Sequence, residues 1–309
     1  MSSTEAVIRR AILAATQNKG VSTFVRRHGM RMGAARFVAG EDIDACMATL
    51  RRLDDQGLHT NTTLLGEGVS DQAAARRVVA AYREILDRIA REGLRTNVAL
   101  KLTHLGLALG EDVAHANVAE LVAHAAGLHN FIRIDMENYP VLEATLRIYR
   151  RLRADGHDNV GTVLQAYLHR TARDLEDLLP LSPNLRIVKG AYLEPPAVAL
   201  PKKTDVDANY VKLAETAVLR AGHTCIATHD ERIIEHMIAF TDANGVGRDR
   251  FEFQMLYGVR PQLQLNLLRR GYKVLVATPF GPEWYFFFMR RLAERPANLF
   301  FVARNWFRG

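Results

Sequence analysis

Eight short apolar or β-branched runs alternate with longer segments of helical period along most of this chain, and that alternation constrains the fold more than any other feature. The runs are HTNTTLLG at 59–66, NVALKLTHLG at 97–106, FIRIDME at 131–137, NVGTVLQAYL at 159–168, LRIVKGAY at 185–192, TCIATHD at 224–230, FEFQML at 251–256 and YKVLVATP at 272–279. Connections this long are not hairpins, so the strands lie parallel with helices as crossovers. Eight is also the number that closes a TIM barrel. The intervening segments carry helix punctuation. Ser70-Asp71 precede an alanine-rich stretch ending at Gly93, Glu111-Asp112 fall in a first turn, Pro140 enters another helix, and Gly222 and Gly271 end later ones. An open doubly wound sheet is the rival, but neither GxGxxG nor GxxxxGK(S/T) follows any run. The expectation is an α/β chain with a (β/α)8 barrel over 58–309 behind an N-terminal helical arm over 1–57. In the arm, apolar residues recur at three and four around Val7, Ile8, Ala11 and Ile12, then around Ile43, Met47, Leu50 and Leu53.

Composition excludes several classes. With 48% hydrophobic and 24% charged residues over 309 positions the chain has ordinary globular make-up, not that of a disordered or coiled-coil protein. No apolar run approaches the roughly 18 residues of a membrane span. The opening MSSTEAVIRRAILAATQNKG reads as an amphipathic helix rather than a signal peptide, so a cytoplasmic location is expected. Asn61-Thr62-Thr63 has the form of a glycosylation acceptor, which that location discounts. Two cysteines, Cys46 and Cys225, furnish neither a disulfide framework nor a Cys-rich zinc site. The net charge of +7 favours anionic substrates or surfaces. Nucleic acid is not expected, because the basic residues are scattered and no RNA- or DNA-binding motif accompanies them.

Barrel chemistry gathers where the strands end, so the polar residues closing the runs are the candidates. Lys101 follows Val-Ala-Leu; Asp135 and Glu137 follow Ile-Arg-Ile; Gln165 follows Thr-Val-Leu. Arg186 and Lys189 flank Ile187-Val188, Thr228, His229 and Asp230 follow Cys-Ile-Ala, and Gln254 sits in Phe-Glu-Phe-Gln. A lysine inside an apolar strand calls for an anion or a reactive role, so Lys101 is an anion ligand or a nucleophilic amine, the plainer alternative being a stem that crosses the barrel rim with its ammonium in water. For Glu137 a solvent-facing loop role stands level with a site role. His229 with Asp230, Glu231 and His236 lacks the convergence a metal needs, and no metal is expected. Arg290-Arg291 follow the aromatic block Trp284–Met289, with Glu294 placed to brace Arg290; such forks suit a small carboxylate. The block itself reads as core, with membrane contact as the alternative. The proline-rich stretch 193–206 has no helical period and reads as a functional loop or, equally, as a surface excursion of no consequence.

TLLGEG, VALKLTHLG, IRIDMEN, VLQAYLHRT, LRIVKGAY, ATHD, FEFQMLYG and PFGPEWYFFFMRRLAE, in this order, resemble the catalytic domain of the proline dehydrogenases, and the length is similar to that of monofunctional bacterial members. The resemblance implies a distorted (β/α)8 barrel, FAD held non-covalently, and oxidation of L-proline to Δ1-pyrroline-5-carboxylate by hydride transfer, with electrons passed to a quinone. It implies Lys101, Arg290 and Arg291 at the substrate carboxylate, with Tyr192 bordering the substrate ring. Asp135 becomes the catalytic carboxylate, and Arg186 lies beside the flavin. Met136, Gln165, Lys189, Gly190, Ala191, Thr228 and His229 match flavin-contacting positions, and Glu67 a gate that pairs with the first helix arginine. A quinone partner also gives the basic surface a reason for peripheral membrane contact. One departure matters. The family's strand-eight segment resembles LYVPYG, whereas this chain has Ala277 at the tyrosine position, which implies a roomier pocket and acceptance of 4-hydroxyproline or another cyclic amino acid. Asp230 stands where asparagine is common. From the residues alone, a Schiff-base lyase using Lys101 or Lys189 is the alternative enzyme class.

Overall fold

The computed structural model describes residues 18–30 and 33–294, with side chains to Met289. The expected helical period around Val7–Ile12 lies outside the described residues, as do the side chains of Arg290, Arg291 and Glu294. Helix α1 (Lys19–His28), a short 3-10 turn (Ala34–Arg36) and α2 (Ile43–Asp55) lead into the barrel. There β1 (His59–Leu64), α3 (Gln72–Glu92), β2 (Thr96–Leu100), α4 (Glu111–Gly127), β3 (Ile132–Ile134) and α5 (Tyr139–Ala154) form one half. The other half is β4 (Val160–Gln165), α6 (Thr171–Leu178), β5 (Asn184–Val188), α7 (Lys203–Arg220), β6 (His223–Ala227), α8 (Glu231–Ala243), β7 (Phe251–Leu256), α9 (Pro261–Arg269) and β8 (Val274–Phe280), closed by α10 (Trp284–Glu294). The strands pair in sequence order, all parallel, and β8 returns to β1 to close the cylinder.

The punctuation acts as read. The Asp71 carboxylate accepts from the Ala74 amide at 2.7 Å, satisfying a free donor at the start of α3, and Gly93 ends that helix at φ 64°. Asp42 caps α2 in the same way, at 2.8 Å from the Ala45 amide. Between barrel and helices the core is aliphatic and fully buried, as with Leu100, Ile134, Leu185, Ile187 and Ile226. Each such side chain contributes about 1.5–3 kcal/mol on burial.

Six of the eight strands stop short of the runs that suggested them, β2 and β3 among them. β2 ends at Leu100, where Lys101 opens a 3-10 turn (Leu102–Leu105), and β3 ends at Ile134. The Asp135 amide still donates to the Leu100 carbonyl at 2.9 Å before the chain turns into α5. Lys101 is therefore not inside a strand, as its apolar neighbours suggested, but just past one. In the stretch 193–206, Lys203–Val206 form the first turn of α7. The preceding loop is strapped down by the Leu200 amide donating to the Tyr167 carbonyl at 2.7 Å.

The aromatic block of α10 is largely core. Trp284, Tyr285 and Phe288 are buried against Ala34, Phe37, Val38 and Leu65, and the Trp284 indole donates to Glu41 at 2.7 Å. Phe286 is the outlier at 51% exposure, with Arg26 5.6 Å from its ring centre. Among the described residues no helix is long and apolar enough to cross a membrane.

Candidate active site

Successive strand residues face opposite sides, so residues two apart share the barrel interior. Accordingly β4 sends in Val163 and Gln165, β5 Arg186 and Val188, and β7 Gln254 and Leu256, all onto the wall of one cavity of about 700 Å³ at the C-terminal mouth. Ala277 of β8 joins them, as do Asp135 and Met136 after β3 and Thr228–Arg232 after β6. Lys189, Gly190, Ala191 and Tyr192 line it from the loop behind β5. The structure thus brings together every residue that the family resemblance placed beside a flavin, together with Asp135, Tyr192 and Ala277.

Arg186 organises the floor. The residue is 8% exposed and spends its fork on two strands and the turn after β3: Nε donates to Gln254 at 2.5 Å, Nη1 to Asp135 at 2.8 Å and Nη2 to Asn61 at 2.7 Å. Asn61 in turn donates to Asn97 on β2. A planar fork held at all three edges has one orientation, which a lysine could not reproduce. Gln165, 3% exposed, donates to the Glu137 carbonyl at 3.1 Å, while its own amide oxygen has no partner among the described residues.

Toward the rim, Lys189 pairs with Asp207 at 2.5 Å and Asp230 at 3.5 Å, and Lys203 also reaches Asp207. Burial works to raise the Asp207 carboxyl, but the two lysines outweigh it and hold that carboxyl below its usual range. His229 accepts the Leu256 amide at Nε2 (2.9 Å), which leaves the ring proton on Nδ1. Arg260 holds this corner from a left-handed backbone (φ 52°), donating to the His229 carbonyl at 2.8 Å. Left-handed non-glycine residues cost about 1–3 kcal/mol and tend to mark functional corners.

Other expectations meet a different geometry. Lys101 lies outside the cavity wall, in an ion pair with Glu67. The gate contact expected of Glu67 was to Arg290, whose side chain, like that of Arg291, lies outside the described part. Glu137 does not face solvent: it is buried, and its carboxylate takes the Thr103 amide at 3.1 Å and the Thr103 hydroxyl at 2.6 Å. Burial nevertheless pushes its carboxyl above the usual range. His236 turns away to Glu215 at 2.6 Å, so it does not converge with His229. The two lysines weighed as Schiff-base nucleophiles each carry a carboxylate partner, not the apolar pocket that favours a free amine.

Sequence reasoning missed Asn61, Asn97, Arg260 and a polar layer at the barrel base. There His223, Cys225 and Glu252 offer ligand atoms within 4.8 Å of one another, but cations already occupy the layer. Lys273 is 2.8 Å from Glu252 and Arg133 3.3 Å from the Cys225 sulfur, which disfavours a metal. Burial pushes the Cys225 thiol up to about 12.

A parallel barrel with a cation-lined, partly buried cavity at its C-terminal mouth defines an α/β-barrel enzyme. The family model for proline dehydrogenase matches residues 46–304, and the chain belongs to that family. Proline dehydrogenase 1 of Bacillus subtilis is 39% identical over 299 residues, which is 97% of this chain and 99% of that one. The proline dehydrogenase of Deinococcus radiodurans is 39% identical over 305 residues, covering 97% and 98%. Among solved structures, proline utilization A from Bdellovibrio bacteriovorus inactivated by N-propargylglycine superposes with a TM-score of 0.81 at 21% identity. That match covers 88% of this chain and 33% of that one.

Proposed function

We propose that this chain oxidises L-proline, or a ring-substituted proline, to Δ1-pyrroline-5-carboxylate with FAD as the immediate electron acceptor and a quinone as the next. The observation that carries the reading is the pinned Arg186 guanidinium on the cavity floor, with the unpartnered amide oxygen of Gln165 on the same wall. A fixed cation and a buried orphan acceptor suit a planar heterocycle that carries N–H donors and gains negative charge on reduction. The residues present therefore fit a flavin. Met136, Gln165, Arg186, Lys189, Gly190, Ala191, Thr228 and His229 are the groups to hold it, with Lys189 and the Thr228-His229 pair at its phosphate end. When bound, the flavin supplies the two-electron acceptor.

The chain's own groups do the rest. Arg186 offers positive charge at a fixed place, and Asp135, its partner, keeps the guanidinium turned toward the cavity. Lys101, Arg290 and Arg291 anchor the substrate carboxylate, so that binding energy aligns the ring carbon to be oxidised. Tyr192 and Ala277 border the ring. The half-buried Ala277 is a methyl on the wall, and this supports tolerance of a substituent such as the 4-hydroxyl. The exposed Phe286 beside Arg26, together with the charge of +7, supports a peripheral contact at the inner membrane face, where a quinone resides.

Absorbance spectra before and after anaerobic addition of L-proline and of 4-hydroxyproline test the reading. A flavin spectrum bleached by at least one of the two is expected. Colourless protein that cannot be reconstituted with FAD, or a flavin left oxidised by both, would overturn it.

A further inference from the structure

We propose that Glu252, at the base of the barrel and outside the cavity wall, is a positioning residue that orients the Gln254 amide and, through it, the Arg186 guanidinium. Its bearing on catalysis rests on the role given to Arg186 above. Glu252 and Gln254 lie two apart on β7 and so share the barrel interior. Glu252 is 4% exposed and accepts the Gln254 amide nitrogen at 2.5 Å. The Gln254 oxygen then faces Arg186 Nε, also at 2.5 Å.

An amide has one donor end and one acceptor end. Placed between an acceptor-only carboxylate and a donor-only guanidinium, it has a single satisfied orientation; the reverse sets donor against donor and acceptor against acceptor. The carboxylate is itself set from below. Its other oxygen meets Lys273 Nζ at 2.8 Å and His223 Nε2 at 3.7 Å. The His223 Nδ1 is 3.1 Å from the Asp249 carbonyl, an acceptor only, so Nδ1 carries a proton and Nε2 is the ring atom turned to the carboxylate. Arg133, the remaining cation of this layer, is taken up by the Asn184 side chain, backbone carbonyls of Asn184 and Thr162, and the Cys225 sulfur. A polar chain therefore runs from Lys273 through Glu252 and Gln254 to Arg186.

This wiring makes a test in which one substitution harms and a second repairs. In Glu252→Gln the new amide must choose: its oxygen toward Lys273 turns its nitrogen on Gln254, and the opposite choice turns that nitrogen on Lys273. Adding Lys273→Met removes the conflict. The introduced amide nitrogen can then turn toward His223 Nε2 in place of Lys273, its oxygen accepts from Gln254, and Arg186 regains its acceptor.

Two readouts apply, taken at pH 8, above the ordinary histidine range. One is solvent exchange of the Arg186 Nε–H in nitrogen-15 spectra of the full chain without added flavin, assigned by its loss in Arg186→Lys. The other is the split between kcat and KM for L-proline with flavin bound. E252Q is expected to speed that exchange and lower kcat, each by about fivefold or more, as suits one weakened charged hydrogen bond, with KM within twofold. E252Q/K273M is expected to recover most of both. If E252Q folds poorly, Glu252→Asp, which draws the carboxylate back from Gln254 while keeping its charge, takes its place with the same expected losses.

Unchanged exchange and kcat with only a lower melting temperature overturn the proposal, as does a double variant no better than the single one. If the wild-type chain does not turn over L-proline, the function reading fails, while the exchange measurement still decides the positioning role.

Discussion

Ala277→Tyr should convert a roomy pocket into a selective one. Ala277 sits mid-strand on β8, between Asn61 of β1 and Leu256 of β7, with its methyl on the cavity wall. Strand positions favour tyrosine, and a cavity of about 700 Å³ has space for one ring, so the variant is not overpacked. The gain comes from covering one face of the substrate's three ring methylenes. Full burial is worth about 0.8 kcal/mol per methylene, so covering half yields about 1.2 kcal/mol. At about 1.36 kcal/mol per factor of ten, this is roughly an eightfold rise in kcat/KM for L-proline. A 4-hydroxyl now meets an aromatic face. Left without a partner, it costs about 1–3 kcal/mol, a loss of roughly five- to 150-fold. Steady-state kinetics with both substrates and an artificial acceptor, alongside anaerobic flavin reduction, measure the ratio. If A277Y changes neither value by more than twofold, the pocket assigned to Ala277 is in the wrong place and the reasoning fails.

Three further outcomes follow from the same geometry. Gly190 has φ 107° and a Cβ there would run into the Tyr167 ring, so Gly190→Ala is expected to lower stability by about 2 kcal/mol and weaken retention of FAD, read by calorimetry and flavin content. His104 is buried, which, with Lys101 nearby, lowers its pKa to about 4; the unfolded chain binds the extra proton first, so stability falls as pH drops from the ordinary histidine range toward 4, by about 3 kcal/mol. Urea unfolding against pH should show this slope in the wild type and lose it in His104→Asn. Glu67→Gln removes the carboxylate facing Lys101, a pair worth ~0–1 kcal/mol, so KM for L-proline should fall by up to about fivefold; a rise in KM would instead favour Glu67 as a gate over bound substrate.

How legible the barrel was depended on whether a residue's partners are near it in the run or come from other strands. The strands announced themselves because their outward residues are apolar against the helices, as with Leu185 and Ile187 on either side of Arg186. The same contrast exposed Gln165, Arg186 and Gln254, polar residues set where apolar ones prevail. Asn61 gave no such contrast: it lies among threonines and reads locally as a glycosylation acceptor, yet it is 1% exposed and bonded to Arg186, 125 positions away. Glu137 misled for the same reason, since its partner Thr103 arrives from the loop after β2. Lys101 was misplaced by its neighbours, which stay apolar past the end of β2 because they pack into the 3-10 turn, where Leu102 and Leu105 are fully buried.

Floor and rim of the cavity obey different energetics. Of the charged residues on its wall, five are cationic and three anionic, and the pairs differ in depth. At the floor, releasing Arg186 from any acceptor strands a buried group and costs about 1–3 kcal/mol each time, so the guanidinium stays put while ligands come and go. At the rim, Arg260 to Glu231 at 2.9 Å and Lys189 to Asp230 at 3.5 Å are partly exposed pairs worth ~0–1 kcal/mol, which an incoming anion can replace at little cost. Salt screens the second kind and hardly touches the first. Added salt should therefore weaken retention of a phosphate-bearing cofactor while leaving turnover per bound flavin constant. A fall in that turnover with salt would mean that the charge serving the chemistry stands at the rim, and that Arg186 is not the group supplying it.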